Sequence, residues 1–326
     1  MEQKTLEVNH LCVSFFTQKG EVKAVNDVSL EVPAGKIVGI VGESGCGKSM
    51  TARAVMGLIK HPGKITGGSI LLSGREVTTL SKKELCAMRG QEVSMVFQEP
   101  MTSLNPVMKV GRQIEEAVHM HEKVSKQEAK QRTLEILEDV GISEPEKRYG
   151  CYPHELSGGL RQRIMIAMAM ICKPALLIAD EPTTALDVTV EAQILRLMKK
   201  LCEGGTSILM ISHNLGVIAQ LCDYVYVMYA GRILEEAETF TLFEHPSHPY
   251  TRGLLSSVSS LRSDADVLET IPGVVPNLLH LPDGCSFSLR CEQCTERCLQ
   301  ELPALTEVGA GHLVRCHFPE TTTHTG

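Results

Sequence analysis

Gly42-Glu43-Ser44-Gly45-Cys46-Gly47-Lys48-Ser49 fills every fixed position of the phosphate-cradling pattern G-x-x-x-x-G-K-[ST]. The preceding run, Ile37 to Val41, is short and β-branched enough for a buried parallel strand, and Met50 to Ile59 behind it suits a helix. The three glycines let the backbone curl until successive N–H groups and the helix N-terminus face an anion. Lys48 then reaches the β- and γ-phosphates of a nucleoside triphosphate, the Ser49 hydroxyl ligates Mg²⁺, and Met50 closes the nucleotide-contacting stretch. The plain structural alternative is a glycine-rich turn with an exposed lysine. Taken alone, the loop leaves kinases, GTPases, helicases and transporters open.

The surrounding pattern is α/β. Leu6 to Phe16 and Ala24 to Val32 alternate like strands of a half-buried antiparallel sheet, with a turn near Lys19-Gly20, and Ser69 to Leu72 reads as a further strand. Val110 to Val140 is helical and polar, with apolar Ile114, Val118, Leu134, Leu137 and Val140; Ser125-Lys126-Gln127-Glu128 reads as a capping box and Gly141 as a stop. Strand and helix then alternate: Ala175 to Ala179, Val188 to Glu203, Ser207 to Ile211, followed by strands at Tyr224 to Tyr229 and Arg232 to Glu236. Such alternation implies parallel pairing. Past about residue 238 proline content rises and periodicity weakens, which marks a domain change.

Leu176-Leu177-Ile178-Ala179-Asp180-Glu181 is an apolar strand ending in two acids. A buried strand delivers Asp180 where a carboxylate can hold Mg²⁺, and Glu181 can act as general base or orient water for in-line attack on the γ-phosphate. Leu156-Ser157-Gly158-Gly159-Leu160-Arg161-Gln162 precedes it; Ser157 is a good N-cap, and the two glycines leave N–H groups open to an anion. By itself that segment reads equally as an ordinary helix cap.

Together the three segments resemble the nucleotide-binding domains of ABC transporters, whose signature begins Leu-Ser-Gly-Gly. The resemblance implies a RecA-like P-loop NTPase core with an antiparallel β subdomain and a helical insertion over about residues 99–165, all within residues 1–238. A small irregular cysteine-containing extension over 239–326 follows. It also implies a head-to-tail dimer in which Leu156, Ser157, Gly158 and Gly159 act on ATP held by the partner. Leu160 stands where the family often has Gln. Gln98 matches the loop glutamine that senses Mg²⁺ and water, Thr184-Ala185-Leu186-Asp187 the loop that crosses the dimer interface, and His213 the switch histidine at the γ-phosphate. Phe15 aligns best with the aromatic that stacks on adenine, with Phe16 as the near rival. The hydrolytic set is thereby complete, with Ser49, Gln98 and Asp180 around Mg²⁺ and Glu181, His213 and Gln98 at the reacting phosphate.

Longer stretches resemble a narrower group, the ATPase subunits of oligopeptide, dipeptide and nickel importers. They are Val41 to Gly45, Gln98-Glu99-Pro100-Met101-Thr102-Ser103-Leu104-Asn105-Pro106, Asp180 to Asp187, and His248-Pro249-Tyr250-Thr251-Arg252-Gly253-Leu254-Leu255. The long tail favours peptide over nickel as cargo. The group implies two membrane-spanning permease subunits, a second related ATPase subunit and an extracytoplasmic substrate-binding protein as partners.

Five of the 12 cysteines fall in the tail, at Cys285, Cys291, Cys294, Cys298 and Cys316. Lasting disulfides are disfavoured in a cytosolic chain, so metal ligation explains them better, as Zn²⁺ or a [4Fe-4S] cluster. The spacing lacks the paired C-x₂-C motifs of a zinc ribbon. By resemblance to the peptide-importer subunits, Cys285, Cys291, Cys298 and Cys316 would hold a [4Fe-4S] cluster, with Cys294 as a substitute ligand.

Composition sets outer limits. A net charge of −7 gives no general footing for nucleic acid. No apolar run approaches the roughly eighteen residues of a membrane span, and the polar N-terminus does not look like a signal peptide. These limits point to the cytoplasm, and with the resemblance to importer subunits the expected place is peripheral, on the cytoplasmic face of the cell membrane.

Overall fold

The computed structural model describes residues 3–98, 103–184, 186–259 and 271–320. They group into two compact units: one comprises Met1–Thr5, Pro33–Lys36 and Thr79–Leu209, the other Leu6–Val32, Ile37–Thr78 and Met210–Gly326.

The second unit begins with strands β1 (Lys4–Thr17), whose first two residues belong to the other unit, and β2 (Gly20–Pro33). Then come the buried β3 (Ile37–Val41), helix α1 (Lys48–Val55), β4 (Gly63–Leu72) and β5 (Arg75–Glu76). One sheet runs in the order β2-β1-β4-β5, with β4 antiparallel to β1. The apolar alternation in β1 slips phase, from Leu6 and Val8 to Leu11 and Val13, all 0% exposed. A register shift between Asn9 and Cys12, with His10 at φ 50, absorbs the slip and returns the apolar set to the buried face. β4 starts six residues earlier than its sequence indicates; Gly63, Gly67 and Gly68 disguise a strand that pairs with Phe15, Cys12 and their neighbours.

The other unit carries α2 (Lys82–Met88), β6 (Val93–Val96), α3 (Val110–His121), α4 (Lys126–Asp139), α5 (Pro145–Tyr149), α6 (Gly158–Met170), β7 (Leu176–Asp180) and α7 (Val188–Glu203). β6 and β7 pair in parallel, Val96 opposite Ala179. The helical run expected over 110–140 is two helices, because residues 122–125 leave the helical conformation. Ser125 does cap α4, its hydroxyl accepting from the Glu128 N–H at 3.1 Å, but the capping box is only half made. The Glu128 carboxylate pairs instead with Arg132 one turn on, at 2.7 Å. Gly141 stops α4 as expected: at φ 75 it donates to Glu138 O while Ile142 donates to Leu137 O, a Schellman closure.

β8 (Ser207–Ser212) carries the chain back to the phosphate-loop unit, where α8 (Leu215–Leu221), β9 (Tyr224–Tyr229), β10 (Arg232–Glu238), α9 (Thr239–Glu244) and α10 (Pro249–Ser259) follow. The tail adds α11 (Glu296–Gln300), β11 (Thr306–Gly309) and β12 (His312–Val314). β3 pairs in parallel with β9, β9 with β10 antiparallel, and β12 closes against β10. The tail is thus less irregular than its weak periodicity implies. Among the described residues no helix is long and apolar enough to cross a membrane.

Candidate functional site: a phosphate loop, a carboxylate–amide pair and a capped signature

β3 runs straight into the phosphate loop. A Cβ on Gly42 (φ 149) would lie 2.0 Å from the Met228 carbonyl, and one on Gly47 (φ 113) 2.5 Å from Ala24 O, so both positions require glycine. Gly47 is the N-cap of α1 and makes no side-chain cap, which leaves the first-turn N–H groups aimed at whatever the loop encloses. Lys48 is 5% exposed, and its ammonium donates to Gly42 O at 2.6 Å and Glu43 O at 3.1 Å. A phosphate would offer that buried cation a fully charged acceptor. Ser44 and Gly45 are exposed, Ser49 and Met50 half-buried; the Cys46 thiol is fully buried, and burial pushes its pKa up.

In the same unit His213 is exposed, directly after β8, ahead of the Asn214 cap of α8. The Phe15 ring is half-buried over Gly63, where a Cβ would approach it to 2.7 Å; the Phe16 ring is 48% exposed, with the Lys64 ammonium 5.9 Å from its centroid.

The β6–β7 register brings two predicted residues together in the other unit. Val96 faces Ala179, so Gln98 and Glu181, each two residues further on, are level. Gln98 Nε2 donates to Glu181 Oε2 at 3.0 Å, and Thr184 Oγ1 donates to the same oxygen at 3.0 Å. Glu181 holds φ at 49, a left-handed conformation uncommon for a side-chain-bearing residue and frequent at functional sites. Asp180, at the end of β7, is 4% exposed. Thr184 is a partner that sequence reading quoted without assigning; a hydroxyl three residues after the acid, across a tight turn, was the available signal. Residues 99–102 and 185 of the two matching loops lie outside the described residues.

The signature and the interface loop also adjoin. Ser157 caps α6, accepting from the Leu160 N–H at 3.4 Å, and Asp187 caps α7, accepting from the Val190 N–H at 2.9 Å. A Cβ on Gly159 would fall 2.7 Å from Val190 Cγ1, and one on Gly158 3.7 Å from Leu186. The two glycines therefore let the start of α6 lie on the start of α7. Leu156 is buried.

In the tail, Cys285, Cys291, Cys298 and Cys316 line one cavity together with His248, Ser288, Phe287 and His317; Cys294 is not among its lining residues. No disulfide engages any of the five. Burial pushes Cys285 up to about 12 and raises Cys291 and Cys316, so these thiols ionise only if a cation holds the thiolates. His248 Nδ1 accepts from the Tyr250 N–H at 3.0 Å, which fixes the proton on Nε2. That Nε2 and Ser288 Oγ are buried without a hydrogen-bond partner. Among the described residues no group of three or more His, Cys, Asp or Glu is arranged to hold a single metal ion.

A phosphate loop between a parallel strand and a helix, an acid-ended strand with a level glutamine, and a serine-capped Gly-Gly helix start define an ATP-binding cassette. Solved structures agree: a dimeric bacterial ABC transporter cassette matches with TM-score 0.65 and 26% identity over 72% of this chain and 98% of its own. The cbiO1 protein of Clostridium perfringens, part of the ABC transporter complex cbiONQ, matches with TM-score 0.65 and 25% identity over 74% of this chain and 92% of its own. The ABC transporter family model matches residues 25–184, and the model of the oligopeptide/dipeptide transporter C-terminal region matches residues 234–298. Curated relatives include the oligopeptide transport ATP-binding protein OppD of Haemophilus influenzae, 51% identical over 95% of this chain and 96% of the relative. AppD of Bacillus subtilis is 49% identical over 97% of each. The chain belongs to the ABC-transporter ATP-binding subunits, in the oligopeptide/dipeptide group, and is a transport ATPase that uses ATP and Mg²⁺.

Proposed function

We propose that this protein is the ATP-hydrolysing, energy-coupling subunit of an importer of di- or oligopeptides, working on the cytoplasmic face of the cell membrane. The observation that carries this reading is identity of about half to peptide-transport ATPases over nearly the whole chain, tail included. Two permease subunits supply the pathway, a second related ATPase completes a head-to-tail dimer, and an extracytoplasmic binding protein delivers the cargo. Residues 1–238 form the catalytic domain, whose insertion over about 99–165 meets the permeases; residues 239–326 form the extension.

Within that cycle, residues 42–50 hold ATP, with Lys48 on the β- and γ-phosphates and Ser49, Asp180 and Gln98 around Mg²⁺. Glu181 accepts a proton from the attacking water, Gln98 orients both, and His213 donates to the γ-phosphate. Phe15 stacks on adenine. Ser157, Gly158 and Gly159, with Asp187 at the interface, act on the partner's ATP. Closure of the dimer excludes water and completes the phosphate contacts. Transport of radiolabelled peptides by the reconstituted complex tests the cargo. ATP-driven peptide uptake supports the reading, while Ni²⁺ uptake in its place overturns it.

For the tail cavity, a [4Fe-4S] cluster held by Cys285, Cys291, Cys298 and Cys316 suits the residues better than Zn²⁺. Four thiols share the cavity without converging on one ion, and two unpartnered donors, His248 Nε2 and Ser288 Oγ, line it. Cluster sulfides are acceptors for such donors. Such a cluster would supply a compact cross-link between segments of the tail. Iron and acid-labile sulfide assays on anaerobically purified protein decide it, with zinc and no sulfide the contrary result.

A further inference from the structure

Every polar group of Glu43 is engaged. Its N–H donates to Tyr250 Oη at 2.9 Å, its carbonyl accepts from Lys48 at 3.1 Å, and its carboxylate receives both arms of Arg290 at 2.6 and 3.1 Å. Two of those partners come from far along the chain: Tyr250 belongs to the His248-Pro249-Tyr250 start of α10, and Arg290 lies 247 residues from Glu43.

Arg290 is committed to that contact. Its side chain is 4% exposed, and all five guanidinium N–H donors have acceptors: Nε on Pro272 O at 2.9 Å, one arm on Glu43 and Tyr229 Oη, the other on Glu43 and Ile271 O. Phe287 and Tyr229 pack their rings against the guanidinium and Tyr250 packs against both rings, so the arginine sits in an aromatic box. It closes the short 3-10 helix Ser288–Arg290, framed by Cys285 and Cys291. A buried, bidentate, fully satisfied fork has one geometry, so whatever fixes the tail there also fixes the second residue of the phosphate loop.

We propose that Arg290 is a positioning residue for the phosphate loop: through Glu43 it holds the loop in its phosphate-binding curve, making ATP affinity a property of the tail as well as of the loop. All of Arg290's donors are taken by protein acceptors, so it acts through another residue. Its effect passes through Glu43 to the carbonyl that accepts from the Lys48 ammonium. Freed from Arg290, the Glu43 carboxylate loses its fixed position and its backbone keeps only the Tyr250 and Lys48 anchors, so the loop is ordered at some cost in ATP binding energy. The inference rests on residues 42–49 being the ATP site.

The test is ATP affinity and steady-state hydrolysis in the full-length protein for Arg290→Gln, Glu43→Gln and the double variant, with a fluorescent ATP analogue as the binding probe. The charged pair contributes enough that each single variant is expected to raise Kd about tenfold, with kcat of Arg290→Gln at saturating ATP within about twofold. The double variant is expected to be no worse than either single one, because both remove the same contact. Arg290→Lys recovers only part of the affinity, since an ammonium has three donors and no planar fork. Arg297→Gln, which removes an exposed arginine paired with Glu301 in the same tail, should bind ATP as the wild type does. Glu43→Gln leaves the tail's sequence unchanged and so answers the case in which Arg290→Gln misfolds. Wild-type affinity in Glu43→Gln, or additive losses in the double variant, would overturn the proposal while leaving the ATPase reading standing. Absence of ATP binding by the wild type would overturn both.

Discussion

Gln98 Nε2 donates to Glu181 Oε2 at 3.0 Å, a contact fixed by the parallel register that sets Val96 beside Ala179. A carboxylate that accepts two hydrogen bonds on one oxygen has its orientation set before any water arrives. Thr184 Oγ1 supplies the second of these bonds. Gln98→Ala should therefore slow hydrolysis by about 10²-fold while changing ATP Kd by only a few fold. Single-turnover hydrolysis beside equilibrium binding checks this, and a loss confined to binding would contradict it.

Ser157 has two jobs that can be separated. As the α6 cap, its loss to alanine should cost about 1 kcal/mol, visible as a small drop in Tm. As part of the signature, the same change should cut hydrolysis at the partner's phosphate loop without weakening ATP binding at this chain's own. Mixed complexes with one variant subunit distinguish the sites, and equal loss at both would argue against a composite site.

Gly159 sits where a methyl group meets Val190 at 2.7 Å. Alanine ordinarily favours a helix over glycine by up to about 1 kcal/mol, yet here the clash reverses the sign. Gly159→Ala should be destabilising in urea melts, and Gly159→Ala with Val190→Ala should be at least as stable as Val190→Ala alone, because the smaller residue opens the space. Failure of that rescue would mean the close approach of α6 and α7 is not what excludes a side chain.

Glu236 gives a pH signature. Burial, aided by the Glu31 carboxylate, pushes it up to about 7, although a hydrogen bond from Tyr224 opposes the shift. Its folded-state value is raised above the usual carboxylate range, so the folded protein binds the extra proton. That contribution to stability is complete below about pH 4.5 and is lost as pH rises through about 7. It amounts to at most about 3 kcal/mol. Glu236→Gln should flatten the stability profile between pH 5 and 8. An unchanged profile in urea melts across that range would assign the pH dependence elsewhere.

What the sequence made legible follows from locality. The phosphate loop, the acid-ended β7 and the span of α7 each depend on a single short stretch of neighbouring residues, and the span Val188–Glu203 matches its sequence reading end for end. β11 and β12 were hidden because three or four residues carry no period, and β12 exists through pairing with β10, far back along the chain. The half-made capping box at Ser125 reflects a competition between Arg132 and the backbone that pattern matching does not weigh. Within the site, the family resemblance named Gln98 and the acid-ended strand named Glu181, but only the strand register puts them in contact. Arg290 was invisible for the same reason, since nothing local to either residue predicts its fork on Glu43.

The most direct test of the account is ATP turnover by the assembled transporter carrying Glu181→Gln. Hydrolysis should fall by about 10³-fold or more, while ATP still binds and accumulates unhydrolysed in a closed ATPase dimer. Turnover at the wild-type rate would contradict the assignment of Glu181 and, with it, the proposed mechanism.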